Sequence, residues 1–394
     1  MNLAYVSPLP PLRSGVADYS AALLPYLRPY FSHIVAVVDG YGPQLPSGLV
    51  DQVYDVSDDP VWWLKEQVVP LYHMGNHLQY HRYVYRALQR FPGITVLHDG
   101  NLLPFVHDLT LARGEQDGFI REAGFERGGE GIIAAWNSLR CAEPLGIDEY
   151  PMLARVARAS LGVIVHSQYL YDLGMKVYPD ARMAVIPLLH SMPPGPGSVP
   201  RRDPKALLGL DPDSLLIGAF GFIAPLKRLD QALRAFARLR DAFPQARFVC
   251  VGEVASGYNF QALLDELALG GAVQVTGYVP METFLCYLRA VDVGVNLRYP
   301  TWGESSATLV RLMACGVPTV VTAAGAFAEL PDEVVIKVPA GPGEVDAIET
   351  ALRRLLSDAG RRAEIGASAR AFAADRCAPQ KVAHQYAAFI RAIV

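Results

Sequence analysis

Three groups of side chains have the types and spacing to do chemistry. Lys227 and Arg228 stand side by side behind Gly221, where an apolar run gives way to a helical pattern. Glu304, Ser305 and Ser306 stand together just ahead of a second helical stretch. His98 and Asp99 follow directly on the apolar run from Ile94 to Leu97. The first two groups suit an anion. The first N–H groups of a helix have no partner inside it, and the peptide dipoles add positive potential there. A glycine-rich strand exit adds close backbone approach to a phosphate. A helix cap at Ser305 or Ser306 accounts for a serine, but not for the carboxylate beside it. Lys227, taken alone, reads equally as a solvated surface lysine. His98 and Asp99, two ionisable groups at the tip of a buried strand, are poor core residues. The alternative for Asp99 is the N-cap of a helix beginning at Leu102.

These groups need strands to end where they stand. Leu3 to Val6 reads as a first strand, followed by a proline-rich loop, Gly15, and a helical pattern over Val16 to Leu27. Gly15 is either a ligand-approach glycine or only a flexible helix entry. Strands are predicted over His33 to Val38 and Pro70 to Met74. The latter runs into Asn76 and His77, an acceptor-side loop or else a cap for the next helix. Further strands are predicted over Ile94 to Leu97, Leu161 to Val165 and Met183 to Ile186. His166, at the end of one of them, reads as structural. Arg113 to Glu130, rich in glycine and charge, reads as a mobile flap. After a proline–glycine linker the alternation restarts over Leu215 to Phe220, Arg247 to Val251, Val273 to Thr276, Val291 to Leu297 and Thr319 to Thr322. Gly316 and Pro318 close the helix behind Ser306. The expected division is 1–190, a linker over 191–204, a second domain over 205–375, and a C-terminal helix over 376–394 crossing back to the first. The fold class is α/β, two doubly wound domains whose ligands bind at strand ends.

Composition narrows the function. The chain has 394 residues, 51% apolar, with a formal charge of −4, which gives no reason to expect nucleic acid. No apolar run approaches a membrane span. The start reads as a strand, not a signal peptide. The five cysteines show no metal or redox spacing, and Cys250 and Cys315 lie in apolar segments as core residues. No acidic cluster suggests a metal, and no cofactor is expected. The expected compartment is the cytoplasm, with peripheral contact at the membrane's cytoplasmic face left open.

The stretch from Tyr299 to Pro331 resembles the donor-site segment of family 4 glycosyltransferases, retaining enzymes of the GT-B fold. Their pattern is a Glu-containing loop, a helix ending in M-A-C-G-x-P, a strand, a glycine-rich turn and a Glu. Here these are Glu304, Met313 to Pro318, Thr319 to Thr322, and Gly325 to Glu329. The Gly303-Glu304-Ser305-Ser306 loop is similar to a subset associated with surface polysaccharide assembly. The resemblance implies two Rossmann-like domains facing across a cleft. It puts Gly15 under the donor diphosphate, Lys227 on the phosphates, His98 and Asp99 near the reacting sugar carbon, and Tyr278 and Val279 at the base. The family often has Arg directly after the strand-exit glycine; Phe222 stands there, which makes Arg228 the candidate second charge. The family's second glutamate, which usually holds the ribose, is Arg311 in this chain.

The implied reaction is metal-independent hexosyl transfer from a UDP- or GDP-sugar to a glycan, lipid-linked or small-molecule acceptor, with retention of configuration. Cations and helix N-termini would take up charge developing on the leaving diphosphate. No nucleophilic carboxylate is identifiable. The alternatives are a GT-B-type sugar-nucleotide epimerase and a nucleotide-sugar-binding protein without catalysis. A nicotinamide dehydrogenase is disfavoured because no G-x-G-x-x-G turn follows the first strand.

Overall fold

A computed structural model describes residues 1–58, 67–141, 143–190 and 204–394. The expected linker lies outside these except for Pro204, which opens a short helix, Pro204–Leu207. The chain divides into two units. One comprises Met1–Leu189, Trp302–Ser305 and Pro379–Val394; the other comprises His190–Thr301 and Ser306–Ala378. The loop carrying Glu304 therefore packs with the first unit, though its flanking strand and helix lie in the second.

The first unit is built on β1 (Asn2–Val6), β2 (His33–Val38), β3 (Gln52–Asp55), β4 (Val68–Met74), β5 (Ile94–Leu97), β6 (Gly162–Val165) and β7 (Met183–Val185). They pair in parallel in the order β3-β2-β1-β4-β5-β6-β7. β1, β4 and β5 are buried on both faces, as a parallel sheet covered by helices requires. Strand order reverses between β1 and β4, so their carboxyl ends flank a switch point where doubly wound sheets bind ligands. Helix Gly15–Leu27 follows β1, capped by the Ser14 hydroxyl, which accepts from Val16 N at 3.3 Å. Helix Pro379–Ile393 packs on it, burying Val382, Tyr386 and Ile390 along one i, i+4 stripe. Tyr386 and Tyr19 join the two helices through their hydroxyls at 2.8 Å.

The expected flap is instead part of a helix, Gln116–Cys141, bent at Arg127 and Gly128. Phe119 and Ala123 are buried. The Glu126 carboxylate accepts from Leu153 N at 3.1 Å and Ala154 N at 2.7 Å, capping the next helix. Glu122 pairs with Arg155 at 2.7 Å. Charge in this segment is spent on tertiary contacts, which local periodicity does not reveal.

The second unit carries β8 (Leu215–Phe220), β9 (Ala246–Val251), β10 (Val273–Val275), β11 (Val293–Asn296), β12 (Thr319–Thr322) and β13 (Ile336–Val338). The parallel order is β10-β9-β8-β11-β12-β13, reversing between β8 and β11. Helix Leu229–Leu239 buries Leu229, Ala232, Leu233, Phe236 and Leu239 against this sheet, the three-to-four spacing of a helix with one apolar face.

Candidate functional site

In the second unit the chemistry gathers at the switch point. β8 leads directly into Gly221, whose φ of +85° suits glycine. Gly221 N donates to Val251 O at 2.9 Å and Ile223 N to Glu253 O at 2.8 Å, stitching the loop to the exit of β9. A Cβ on Gly252 would stand 2.2 Å from Gly221 O, so the two loops approach more closely than a side chain allows. Gly252→Ala is expected to destabilise the chain by about 3 kcal/mol, as backbone overpacking does, read from the urea midpoint. Gly270→Ala, where a Cβ meets nothing within 4 Å, should leave the midpoint in place.

Lys227 ends a 3-10 turn, Pro225–Lys227, and its ammonium returns to the strand end, donating to Phe220 O at 3.1 Å. The cation thus lies over the carboxyl end of β8. The loop after β11 is tied to the same place, Tyr299 N donating to Leu226 O at 2.9 Å. Arg228 behaves differently from the sequence-based expectation. Its guanidinium is held by both oxygens of Glu344, whose side chain is 1% exposed, at the start of helix Glu344–Ser357. A charge neutralised in this way is a poor second cation for a phosphate. The backbone at Arg228 is left-handed, φ +54°, which is uncommon without glycine. Arg228→Ala strands a buried carboxylate and is expected to cost about 3 kcal/mol in urea unfolding. Combining it with Glu344→Leu should recover most of that loss.

Ser306 is the N-cap of helix Ala307–Cys315: its hydroxyl accepts from Leu309 N at 3.2 Å and donates to Asn296 Oδ1 at 3.2 Å. Its O–H is thus committed to Asn296 and one lone pair to the helix N-terminus. Ser305 is half-buried beside it. Gly316 closes the helix with a φ of +74°. Arg311 is buried, its guanidinium 6.0 Å from the Phe284 ring centre. Tyr278 is 58% exposed after β10, whereas Val279 packs its side chain against the core.

The Glu304 loop folds back on itself, the carboxylate accepting from Trp302 N at 2.7 Å. Within the first unit it docks on the exit of β5, where Gly100 N donates to Trp302 O at 2.7 Å. A Cβ at Gly100 would stand 2.4 Å from that oxygen, and one at Gly303 would stand 2.9 Å from the Tyr169 ring. Glu304 is buried.

The exits of β4, β5 and β6 bring together His73, His98 and His166. His73 Nδ1 and His98 Nε2 are 3.0 Å apart. The Tyr19 ring centre lies 5.3 Å from that of His98 and 5.5 Å from that of His166. Burial holds His73 and His98 well below the ordinary imidazole value, with His166 as the next contribution for each. Burial pushes His166 down to about 4 against a hydrogen bond to Ile186 O, and His81 to about 4 against one to His77 O. All four are therefore neutral at pH 7. Asp99 does not cap a helix: its Oδ2 accepts from Asn76 N at 2.9 Å, fixing the loop after β4. Leu102 holds the N-cap position of helix Leu103–Leu109 without a side-chain bond, and Asn101 Oδ1, one residue earlier, accepts from Leu103 N at 2.8 Å. Asn76 is no cap either, since His77 holds that position without a side-chain bond. Gly15 opens its helix with nothing within 4 Å of a would-be Cβ, so the fold itself does not demand glycine there.

The sequence singles out His98 as a candidate but gives His73 no role of its own. The signal available was a histidine near the end of three successive parallel strands. Among the described residues, no three His, Cys, Asp or Glu side chains are placed to hold a metal ion.

Residues 201–372 match the family model described as Glycosyl transferases group 1. The D-inositol 3-phosphate glycosyltransferase of Stackebrandtia nassauensis is 36% identical over 180 residues, which are 41% of this chain and 38% of that protein. The chain thus matches well under half the length of that curated relative. HepE of Anabaena in complex with UDP superposes with a TM-score of 0.68 at 17% identity, covering 100% of both chains. Sucrose-phosphate synthase of Thermosynechococcus elongatus superposes with a TM-score of 0.69 at 17% identity, covering 100% of this chain and 99% of that one. At such identity the likeness carries the fold: the architecture is GT-B, with two Rossmann-like parallel-sheet domains.

Proposed function

We propose that the chain is a retaining, metal-independent glycosyltransferase of the family 4 type, moving a hexosyl group from a nucleoside diphosphate sugar to a glycan, lipid-linked or small-molecule acceptor. The observation that carries this reading is the Lys227 ammonium held over the carboxyl end of β8, beside the close-packed Gly221 and Gly252 loops. That is a phosphate site in chemical terms, and it falls inside the matched region 201–372. Breaking a sugar–phosphate bond leaves negative charge on the diphosphate. Lys227 and the N-terminus of helix Ala307–Cys315 would stabilise that charge as it develops. With Arg228 committed to Glu344, the reading assigns the side-chain share to Lys227. The acceptor oxygen would attack from the face the diphosphate leaves, giving retention. The Glu304 carboxylate and the exposed Tyr278 complete the donor-side assignment, to sugar and base. We place the activity in cell-surface polysaccharide or glycoconjugate assembly, in the cytoplasm, with peripheral contact at the membrane's cytoplasmic face left open. No helix among the described residues is long and apolar enough to cross a membrane.

UDP-sugars are the first donors to test, because HepE of Anabaena is a UDP complex of the same fold. A thermal-shift panel of UDP-, GDP- and dTDP-sugars, with magnesium and with chelator, identifies the nucleotide. A selective shift that survives chelation and vanishes in Lys227→Ala supports the reading. Stabilisation by none of them removes it. Arg311 and the neutralised Arg228 favour one rival, a binding protein without turnover. A donor-specific shift with no transfer to any acceptor would select it.

A further inference from the structure

We infer that His73 is a positioning residue that locks His98 into the tautomer carrying its proton on Nδ1, so that His98 presents a neutral N–H donor rather than a base. One proton shared across a single hydrogen bond decides the tautomer. His73 Nδ1 and His98 Nε2 are 3.0 Å apart, so one of them carries the hydrogen and the other is bare. His73 is fully buried, and its remaining nitrogen, Nε2, has no partner among the described residues. If His98 Nε2 held the shared proton, neutral His73 would carry its own on Nε2, a buried donor with no acceptor. If His73 Nδ1 holds it, Nε2 is merely a bare acceptor. Orphaned buried N–H groups are the rarer and costlier of the two. The second arrangement is therefore selected, and it puts the single ring proton of neutral His98 on Nδ1. His98 is the more accessible of the pair, and its Nδ1 makes no hydrogen bond among the described residues.

The surroundings hold this state. Tyr5 lies tilted against His73 with ring centres 4.6 Å apart, and Tyr19 meets His98 edge-on at 5.3 Å, so both imidazoles are packed against rings. His166 cannot compete for the proton. Its Nδ1 donates to Ile186 O at 2.9 Å, since a carbonyl only accepts, which leaves its own Nε2 bare. An Nδ1–H donor recognises an oxygen that can accept. On the proposed function, that oxygen belongs to the donor sugar or its phosphate. The tautomer itself does not depend on that reading.

The test is 15N NMR of the histidine-labelled full chain at pH 7.5, with His98 identified by its loss in His98→Asn. The expected result is an N–H type shift at His98 Nδ1 and a bare-nitrogen shift at Nε2. His73→Phe, which keeps a ring but no donor, should move His98 towards the Nε2–H form. His73→Asn, whose amide N–H replaces the Nδ1 donor, should restore it. In transfer assays His73→Phe should lower kcat roughly tenfold, about one hydrogen bond's worth, with KM little changed, and His73→Asn should recover it. A wild-type His98 carrying its proton on Nε2 overturns the inference without any variant having to fold. So does a tautomer that ignores His73→Phe. If the tautomer is as stated but no donor is turned over, the proposed function fails while the inference stands.

Discussion

Lowering the pH from 7.5 to 4.5 is expected to reduce the unfolding free energy by several kcal/mol, nearly all of it below pH 6.5. The cause is the set of buried neutral histidines in the first unit. His81 and His166 fall from an unfolded value of 6.5 to about 4 in the fold, each chiefly through burial. A depressed folded value means that the unfolded chain takes up the proton first. Stability is therefore full above 6.5, declines as pH falls towards 4, and levels off below that. One pKa unit is about 1.4 kcal/mol, so each of these two histidines contributes about 3 kcal/mol across the window. His73 and His98 shift in the same direction, with His166 and His81 adding to the effect of burial. Carboxylates interfere little. Asp55 and Glu349 are lowered from 3.8 and 4.5, so they act mainly below the window. Glu126 is raised from 4.5 by burial and partly offsets the loss as it protonates. Urea midpoints at pH 7.5, 6.5, 5.5 and 4.5 measure the decline. His166→Asn, which keeps a donor for Ile186 O but does not titrate, should flatten it by about 3 kcal/mol. A midpoint that stays level from 7.5 to 4.5 would contradict the burial of neutral imidazoles at these strand ends.

The contrast between His98 and His73 shows what a sequence can and cannot carry. His98 is visible because it follows an uninterrupted apolar strand and precedes a carboxylate, a local pattern. His73 gains its meaning only from the register of β4 against β5, which pairs it with Val96 and brings its ring to His98. No local signal fixes a register between two strands that are both apolar. Arg228 follows the same logic. Next to Lys227 it looks like a second phosphate cation, and only a partner 116 residues away turns it into the counter-ion of Glu344. Arg113 to Glu130 reads as a flap because glycine and charge hide its periodicity, yet Glu122 and Glu126 spend that charge on the helix at Ala154–Ala159. What is legible is what short-range physics dictates: the strand–glycine–helix exits at Gly221 and Gly303, the cap at Ser306 and the helix stop at Gly316. The docking of Trp302–Ser305 in the first unit is beyond it, since the strand and helix on either side belong to the second.

Lys227→Ala should then lower the transfer rate by about 10²–10³-fold, the scale of removing one preorganised group that meets developing charge. The fold should hardly register the change. The lysine is half-buried, and its hydrogen bond to Phe220 O is worth about 1 kcal/mol. Rate and stability therefore separate, in contrast to Arg228→Ala, where the stability loss comes from a stranded carboxylate and a rate effect would follow only through the loop. Lys227→Arg sharpens the test. The guanidinium is wider than the ammonium and carries its donors in a fixed planar fork. Arg should restore the charge without its position and recover only part of the rate. The measurement is kcat/KM for the donor found by thermal shift, on all three variants alongside their urea midpoints. A Lys227→Ala loss below about tenfold would take the diphosphate away from this side chain. The anion would then fall to the backbone at the start of helix Ala307–Cys315, and Arg228 would have been surrendered to the fold without leaving any side-chain cation essential at the strand end.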